Sequence, residues 1–209
     1  MYMKTYSHDD WQLINEEVCF SGFFKLVRYH FRHKLFDGST GPQLSREVFV
    51  RGDATCVLLY DPKLQSLVLV EQFRAGGVLY HKSPWMFELV AGINEEGELP
   101  EEVACREAVE EADAKILDLM HIMDFFPSPG GSTERIYLFL GLVDAQELGG
   151  VHGLAEEGED IKVHVLGLPQ VVDMLNSGEI DNSPAIIAIQ WLLLNKEKVD
   201  EAWGRSFEK

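Results

Sequence analysis

One acidic segment, residues 92–114 (GINEEGELPEEVACREAVEEADA), limits what this chain can fold into more than any other. Pro100 suits the first turn of a helix, where a missing N–H costs nothing. The two glutamates that follow it complement the positive end of the helix macrodipole. We therefore predict a helix that begins at Pro100, runs to about Ala112 and packs inward through Val103, Ala104 and Ala108.

Three glutamates lie near the C-terminal end of this predicted helix, where the macrodipole disfavours negative charge. Glu107 and Glu111 are four residues apart, and Glu110 is three residues from Glu107, so all three can point at one place and repel one another. Arg106 is expected to point elsewhere. Carboxylate oxygens are the ligands that Mg²⁺ prefers. The cluster therefore predicts a bound cation; the alternative is a solvated acidic helix face.

The rest of the chain alternates apolar strands with helices. We predict strands at 22–35, 45–50, 54–60, 67–73, 86–90, 136–143 and 161–166, and further helices at 169–176 and 184–195. Asp37-Gly38 marks a hairpin turn in the N-terminal part. This order indicates an α/β fold built on a mixed sheet, with a small antiparallel β-sheet at the N-terminus. The expected domains are 1–50, an N-terminal meander, and 51–209.

Composition excludes several classes of protein. The net charge is −17 and Lys and Arg are not clustered, so a grip on nucleic-acid backbone is not expected. No apolar run has the length of a membrane span, and the first residues, MYMKTYSHDDWQL, contain no apolar stretch of signal-peptide length. Cys19, Cys56 and Cys105 are odd in number and lack CxxC spacing, which argues against a disulfide framework or a zinc site. We expect a cytoplasmic protein with neither nucleic-acid nor membrane partners.

The spacing of the acidic segment resembles that of a known motif. Gly92, five residues, Glu98, seven residues and then REAVEE at 106–111 is similar to the Nudix box, GX5EX7REUXEEXGU, in which U is aliphatic. The resemblance implies a Nudix-type α/β/α sandwich and a hydrolase. It also implies that Arg106 pairs with Glu98, and that the carbonyl of Ala91 joins Glu107, Glu110 and Glu111 in holding Mg²⁺ or Mn²⁺, two or three ions in each site.

One position departs from the box. Asp113 stands where the family has its second glycine, which ends the helix in a left-handed conformation. Asp tolerates that conformation better than most residues other than glycine. We expect a slightly costlier helix end and an intact metal site.

Segments outside the box resemble the bacterial ADP-ribose pyrophosphatase subfamily over nearly the whole chain. By this resemblance Arg74, in EQFR at 71–74, stacks on adenine, which suits a planar guanidinium. Arg46 would reach substrate from the partner of a homodimer, and Phe23 would stack on the base. The alternatives are a strand-end arginine paired with a surface acid for Arg74 and a plain core side chain for Phe23.

Two loops are expected to complete the site. In FPSPGGSTE at 126–134, Ser128 and Glu134 match substrate-contacting positions; alternatively Glu134 is a turn acid paired with Arg135. In the acidic lid at 152–160, Glu157 matches the general base and Glu159 a supporting acid, the alternative being a solvated loop. His81 and His164 are isolated and are expected to have ordinary structural or surface roles.

The expected activity is Mg²⁺-dependent hydrolysis of the pyrophosphate bond of ADP-ribose to AMP and ribose 5-phosphate. A Nudix hydrolase of another nucleoside diphosphate sugar, such as GDP-mannose, is the nearest alternative. A catalytically silent domain that senses ADP-ribose is another, but the box carboxylates are all present. A Ca²⁺-binding protein would need a DxDxDG loop, which this sequence does not contain.

Overall fold

A computed structural model describes residues 6–79 and 83–204 of the chain. These residues divide into two compact units. The first contains residues up to Gly52 together with Phe126–Glu134, and the second contains Asp53–Phe125 and the residues from Arg135 onward. The loop at 126–134 therefore groups with the N-terminal strands, although it follows the helix in sequence.

The first unit is built on a three-stranded antiparallel sheet. Its strands are β1 (Trp11–Ser21), β2 (Lys25–His33) and β3 (Leu44–Val50), which pair in the order β1-β2-β3. The predicted strand at 22–35 is shorter than expected because residues 22–24 form the bend between β1 and β2. At the predicted turn, Gly38 has a φ of +89° and Ser39 N–H donates to Asp37 Oδ1 at 2.8 Å.

The second unit contains an eight-stranded mixed sheet in the order β10-β11-β5-β4-β9-β8, with β6 paired to β5 and β7 paired to β4. Only the β4–β9 pair is parallel among these described strands. The strands are β4 (Ala54–Asp61), β5 (Ser66–Phe73), β6 (Trp85–Glu88), β7 (Val90–Ile93), β8 (Asp118–Phe125), β9 (Ile136–Leu142), β10 (Gly150–His152) and β11 (Ile161–Gly167).

Helices cover both faces of this sheet. Because side chains alternate along a strand, Val57 and Leu59 lie in one core with α1 (Pro100–Ala112), whereas Leu58 and Tyr60 lie in the other with α2 (Leu168–Ser177) and α3 (Ser183–Gly204). Each fully buried side chain of this size contributes about 1.5–3 kcal/mol. The predicted α/β/α sandwich with a mixed sheet is thus confirmed, as is the small antiparallel sheet.

Several predicted elements need correction. The single strand expected at 86–90 is two strands, because the chain leaves β5 after Glu88 and pairs with β4 from Val90. β1, β8 and β10 were not among the individual strands predicted, and α3 continues beyond 195 to Gly204. Among the residues described, no helix is long and apolar enough to cross a membrane.

The two isolated histidines have separate outcomes. His164 has an ordinary structural contact, with Nε2 2.8 Å from Glu71 Oε2. His81 lies outside the described residues.

Candidate active site

The most buried acid of the site is Glu111, in the last turn of α1. Glu111 is only 2% exposed, because it lies on the buried face of the helix together with Ala104 and Ala108. Its Oε2 accepts a hydrogen bond from the N–H of Ala91 in β7 at 3.0 Å. Burial raises the pKa of the Glu111 carboxyl to about 8, aided by the charges of Glu107 and Glu159 and opposed by that hydrogen bond.

Arg106 lies among the acids of α1. Its Nε donates to Glu98 Oε1 at 2.9 Å, which is the pairing that the box implies. The expectation that it points away from the other glutamates is wrong, because its Nη1 lies 2.7 Å from Glu107 Oε1 and 3.0 Å from Glu110 Oε2. The hydrogen bond to Glu98 and those to Glu107 and Glu110 raise the pKa of Arg106, so it stays charged.

Gly92 makes room for Glu107. A Cβ atom added at Gly92 would lie 1.7 Å from Glu107 Oε1 and 2.2 Å from its Cδ. Real Cβ atoms do not approach other atoms so closely, so any side chain here would displace the carboxylate. The first glycine of the motif is therefore a packing requirement of the acidic cluster.

The side chains of Glu107, Glu110 and Glu111 suit a hard divalent cation, although they do not form a preorganised metal site. The donors offered are carboxylate oxygens, which suit Mg²⁺ or Mn²⁺. In the part of the chain that the structure describes, no group of three or more His, Cys, Asp or Glu side chains is positioned to hold an ion. The guanidinium of Arg106 contacts both Glu107 and Glu110 and supplies positive charge there.

The helix end at the departing box position has the expected conformation. Asp113 caps α1 with φ 49° and ψ 30°, in the left-handed region. Its N–H donates to Val109 O at 3.0 Å, and the following N–H, of Ala114, donates to Ala108 O at 2.9 Å. The carbonyls of the last turn are thus satisfied without a glycine.

The acidic loop at 152–160 is attached to α1. Gly153 N–H donates to the carbonyl of Glu110 at 3.3 Å, and Leu154 N–H donates to Glu159 Oε2 at 3.0 Å. The charge of Glu159 acts on both Glu107 and Glu111, so these three acids belong to one electrostatic cluster. Glu157 ends a short 3-10 turn, Ala155–Glu157, and its side chain lies outside the described part of the structure.

Arg74 follows the last residue of β5 and pairs with Glu88. Its Nε and Nη2 lie 2.8 and 2.7 Å from Glu88 Oε2. This is the strand-end ion pair of the alternative interpretation, but the acid is only 16% exposed and is not a surface group. Burial lowers the pKa of Arg74, while Glu88, with smaller contributions from Glu111 and Glu159, raises it above its ordinary value. Sequence reasoning missed Glu88, because only strand pairing brings it near Arg74.

Phe23 and Arg46 belong to the first unit, and both are exposed. Phe23 is 88% exposed, so its interpretation as a core side chain is wrong. Its ring contacts Phe24 edge-on at 4.6 Å. Arg46 lies on β3 opposite Tyr29 of β2, and its Nη1 donates to Ser45 O at 2.7 Å.

The loop at 126–134, also in the first unit, forms a compact turn. The carbonyl of Ser128 accepts N–H groups from Gly131 and Ser132 at 3.1 and 3.0 Å. Glu134 Oε1 lies 3.2 Å from Arg51 Nη2. Sequence reasoning missed Arg51, which also exchanges backbone hydrogen bonds with the Thr133 hydroxyl.

Residues 50–195 match the model of the NUDIX domain. Together with the α/β/α sandwich and the acidic helix, this match defines the class, and the chain belongs to the Nudix family.

Its relatives include a protein from Haemophilus influenzae named ADP-ribose pyrophosphatase, 46% identical over 207 residues, which cover 98% of this chain and 95% of the relative. A protein of the same name from Escherichia coli strain K12 is 42% identical over 200 residues, or 96% of each chain. A GDP-mannose pyrophosphatase from Enterobacter sp. strain 638 is 34% identical over 152 residues, covering 72% of this chain and 78% of the relative. A solved structure described as an ADP compounds hydrolase shares the fold, with a TM-score of 0.68 over 96% of this chain and 100% of that one at 16% identity.

Proposed function

We propose that this protein hydrolyses the pyrophosphate bond of ADP-ribose and releases AMP and ribose 5-phosphate. The observation that carries this proposal is the 46% identity to the Haemophilus influenzae ADP-ribose pyrophosphatase over 98% of the chain. The complete set of box acids on α1 supports a catalytic domain rather than a silent one. GDP-mannose is the second candidate substrate, because a relative named for it is 34% identical over 72% of the chain.

Glu107, Glu110 and Glu111 would hold two or three divalent ions, Mg²⁺ or Mn²⁺, together with the carbonyl of Ala91. When bound, such ions neutralise negative charge on the phosphate oxygens. Arg106 would then release Glu107 and Glu110 and keep Glu98, with which it makes two hydrogen bonds, of 2.9 and 3.3 Å. Arg106 thus serves as a brace that holds the loop before α1 in place.

Glu157 is proposed as the general base, and Glu159 as the acid that supports it. The oxygen of a water molecule attacks one phosphorus, the bridging P–O bond breaks, and Glu157 takes the proton of the water. The bond between Gly153 N–H and Glu110 O supports this assignment, because it attaches the lid to the helix that carries the acids. The Leu154 N–H fixes Glu159 beside that attachment.

The adenine is proposed to stack on the Arg74 guanidinium, with Phe23 and Arg46 contributed by the partner subunit of a homodimer. Ser128 and Glu134 would complete the contacts to substrate. The exposure of Phe23 supports a role outside the core of its own unit. The bond between Arg51 and Glu134 supports a fixed position for that acid.

The first unit has a surface suited to such a dimer. An open apolar cavity of about 430 Å³ lies on its sheet, lined by Trp11, Leu13, Tyr29, Phe31, His33 and Val48. Val18 and Phe20 of β1 are each 62% exposed. Contiguous exposed apolar surface commonly marks an interface. Sedimentation equilibrium should give the mass of a dimer, and a monomer at micromolar concentration would contradict this assignment.

The three free cysteines are compatible with the reducing cytoplasm, which we propose as the location.

The activity can be tested with a panel of nucleoside diphosphate sugars in ¹⁸O-labelled water, with Mg²⁺ or Mn²⁺ and mass-spectrometric detection. We expect ADP-ribose to give AMP and ribose 5-phosphate with the highest kcat/KM, and the label to report which phosphorus is attacked. Glu111→Gln serves as the inactive control. Faster turnover of GDP-mannose would shift the proposal to that substrate. Binding of ADP-ribose without turnover would show a sensing domain.

A further inference from the structure

The carboxylate of Glu88, which lies outside the Nudix box, is next to Arg74, the arginine proposed to stack on adenine. In β5 and β6, Val70 pairs directly with Glu88, and Val70 belongs to the core on the α1 face of the sheet. Because alternate side chains share a face, Gln72 lies on that same face, and Arg74 follows in the same alternation. Strand register therefore brings Glu88 to the side of the sheet on which the box acids lie.

Glu88 offers one oxygen to two neighbours. Its Oε2 accepts from Arg74 Nε at 2.8 Å and lies 2.7 Å from Arg74 Nη2, so it grips one edge of the guanidinium. Gln72, which is 7% exposed, approaches the same oxygen through Nε2 at 3.4 Å. The carboxylate is held in turn by its place on a paired strand. The side chain of Arg74 nevertheless remains 44% exposed.

We propose that Glu88 is a positioning residue that fixes the Arg74 guanidinium by its edge and leaves a face available to the base of the substrate. This inference rests on the proposed function, since it assigns Arg74 to adenine. A guanidinium stacks through its flat face and bonds through its edge, so an edge-on partner does not compete with a base. A free arginine would have to be ordered when substrate binds, whereas Glu88 orders it beforehand.

The expected effect is therefore on binding of the base and not on bond cleavage. Ordering one flexible side chain corresponds to a change of about three- to ten-fold in affinity. Glu88→Gln keeps the size of the side chain and an acceptor oxygen but loses the charge that strengthens both bonds. We expect KM for ADP-ribose to rise by about three- to ten-fold while kcat changes less than about two-fold.

The discriminating substrate is ADP-ribose without its adenine, the 5′,5″-diribosyl diphosphate. Its KM should be the same for the native protein and for Glu88→Gln, because it has no base to stack. In a double-mutant cycle, Glu88→Gln should have no further effect on KM for ADP-ribose once Arg74→Ala is present. Glu71→Gln is the matched control: it makes the same change on the adjacent strand, where the carboxylate bonds His164 and not Arg74. Its KM should be native.

Equal KM increases for both substrates, additivity with Arg74→Ala, or a loss confined to kcat would each overturn the proposal. Calorimetric binding of AMP and of ribose 5-phosphate provides a test that needs no turnover. Glu88→Gln should weaken the binding of AMP by the same factor and leave the affinity for ribose 5-phosphate unchanged. If the native protein fails to hydrolyse ADP-ribose, the proposed function falls, and unaltered AMP binding in Glu88→Gln would separately refute the role of Glu88.

Discussion

Replacing Glu111 by Gln should make the stability of the metal-free protein less dependent on pH. Burial raises the pKa of this carboxyl from 4.5 to about 8 in the folded protein. Between those values the folded state holds a proton that the unfolded state has lost, so folding becomes less favourable as pH rises. Ionisation of Glu111 therefore costs the folded state no stability below pH 4.5, and it destabilises the folded state most above pH 8.

The size of the effect follows from the shift. A shift of this size corresponds to about 3 kcal/mol of stability lost between pH 5 and pH 8, at 1.36 kcal/mol for each pKa unit. No large discount for solvent screening applies, because Glu111 is 2% exposed. Gln cannot ionise, and it retains an oxygen for the N–H of Ala91. We therefore expect the difference in unfolding free energy between Glu111→Gln and the native protein to favour the variant by about 3 kcal/mol more at pH 8 than it does at pH 5.

The assay is urea unfolding in EDTA at the two pH values, followed by circular dichroism. Glu101→Gln provides the control, since Glu101 is an exposed acid in the first turn of the same helix. An equal stability difference between Glu111→Gln and the native protein at pH 5 and pH 8 would refute the reasoning. Added Mg²⁺ should stabilise the native protein more than the variant, because only the native site keeps all its carboxylates.

Three further outcomes are expected. Asp113→Gly should raise the free energy of unfolding by about 0.5–1 kcal/mol in urea titrations, because glycine adopts the left-handed helix end at φ 49° without the Cβ penalty; a destabilised variant would contradict this. Gly92→Ala should lower kcat by about a hundred-fold with little change in melting temperature, since the added Cβ displaces only the flexible end of Glu107; native turnover would contradict the crowding. Glu157→Gln should abolish most hydrolysis while metal binding, measured calorimetrically, is retained, and a much larger loss in Glu159→Gln would reverse the assignment of the base.

Local sequence patterns predicted the elements whose causes are local. The helix at Pro100–Ala112 was predicted with its bounds, because a proline start, first-turn acids and an inward alanine stripe all act within a few residues. The strands at 54–60 and 67–73 were predicted because each is a continuous apolar run, which is also a local signal. The Asp113 cap also follows from the residue itself and from its place in the motif.

Features that depend on pairing between distant segments could not be predicted. The run at 86–90 contains no break that would divide it, and it becomes two strands only because β5 and β4 take successive parts of it. β8 (DLMHIMDF) lacks clean alternation and is defined by its pairing with β9. The contact between Glu88 and Arg74 depends on that same strand register.

Arg106 shows where spacing along a helix misleads. Positions one residue apart point in different directions, which is why Arg106 and Glu107 were expected to separate. A long, flexible arginine can nevertheless fold back, and its five donors let it satisfy Glu98, Glu107 and Glu110 together. Two of the three acids near the negative end of the helix, Glu107 and Glu110, are then balanced without a metal ion.

That arrangement links folding to the proposed chemistry. Arg106 can neutralise Glu107 and Glu110, which it contacts, but the oxygen of Glu111 is bonded to the backbone of Ala91 and stays buried. The guanidinium of Arg106 therefore compensates only part of the cluster, and burial, aided by the charges of Glu107 and Glu159, raises the pKa of Glu111. A divalent cation in contact with all three carboxylates would compensate the rest. The acids that make the helix a poor structural element without metal are therefore the ones that would make it a strong binding site.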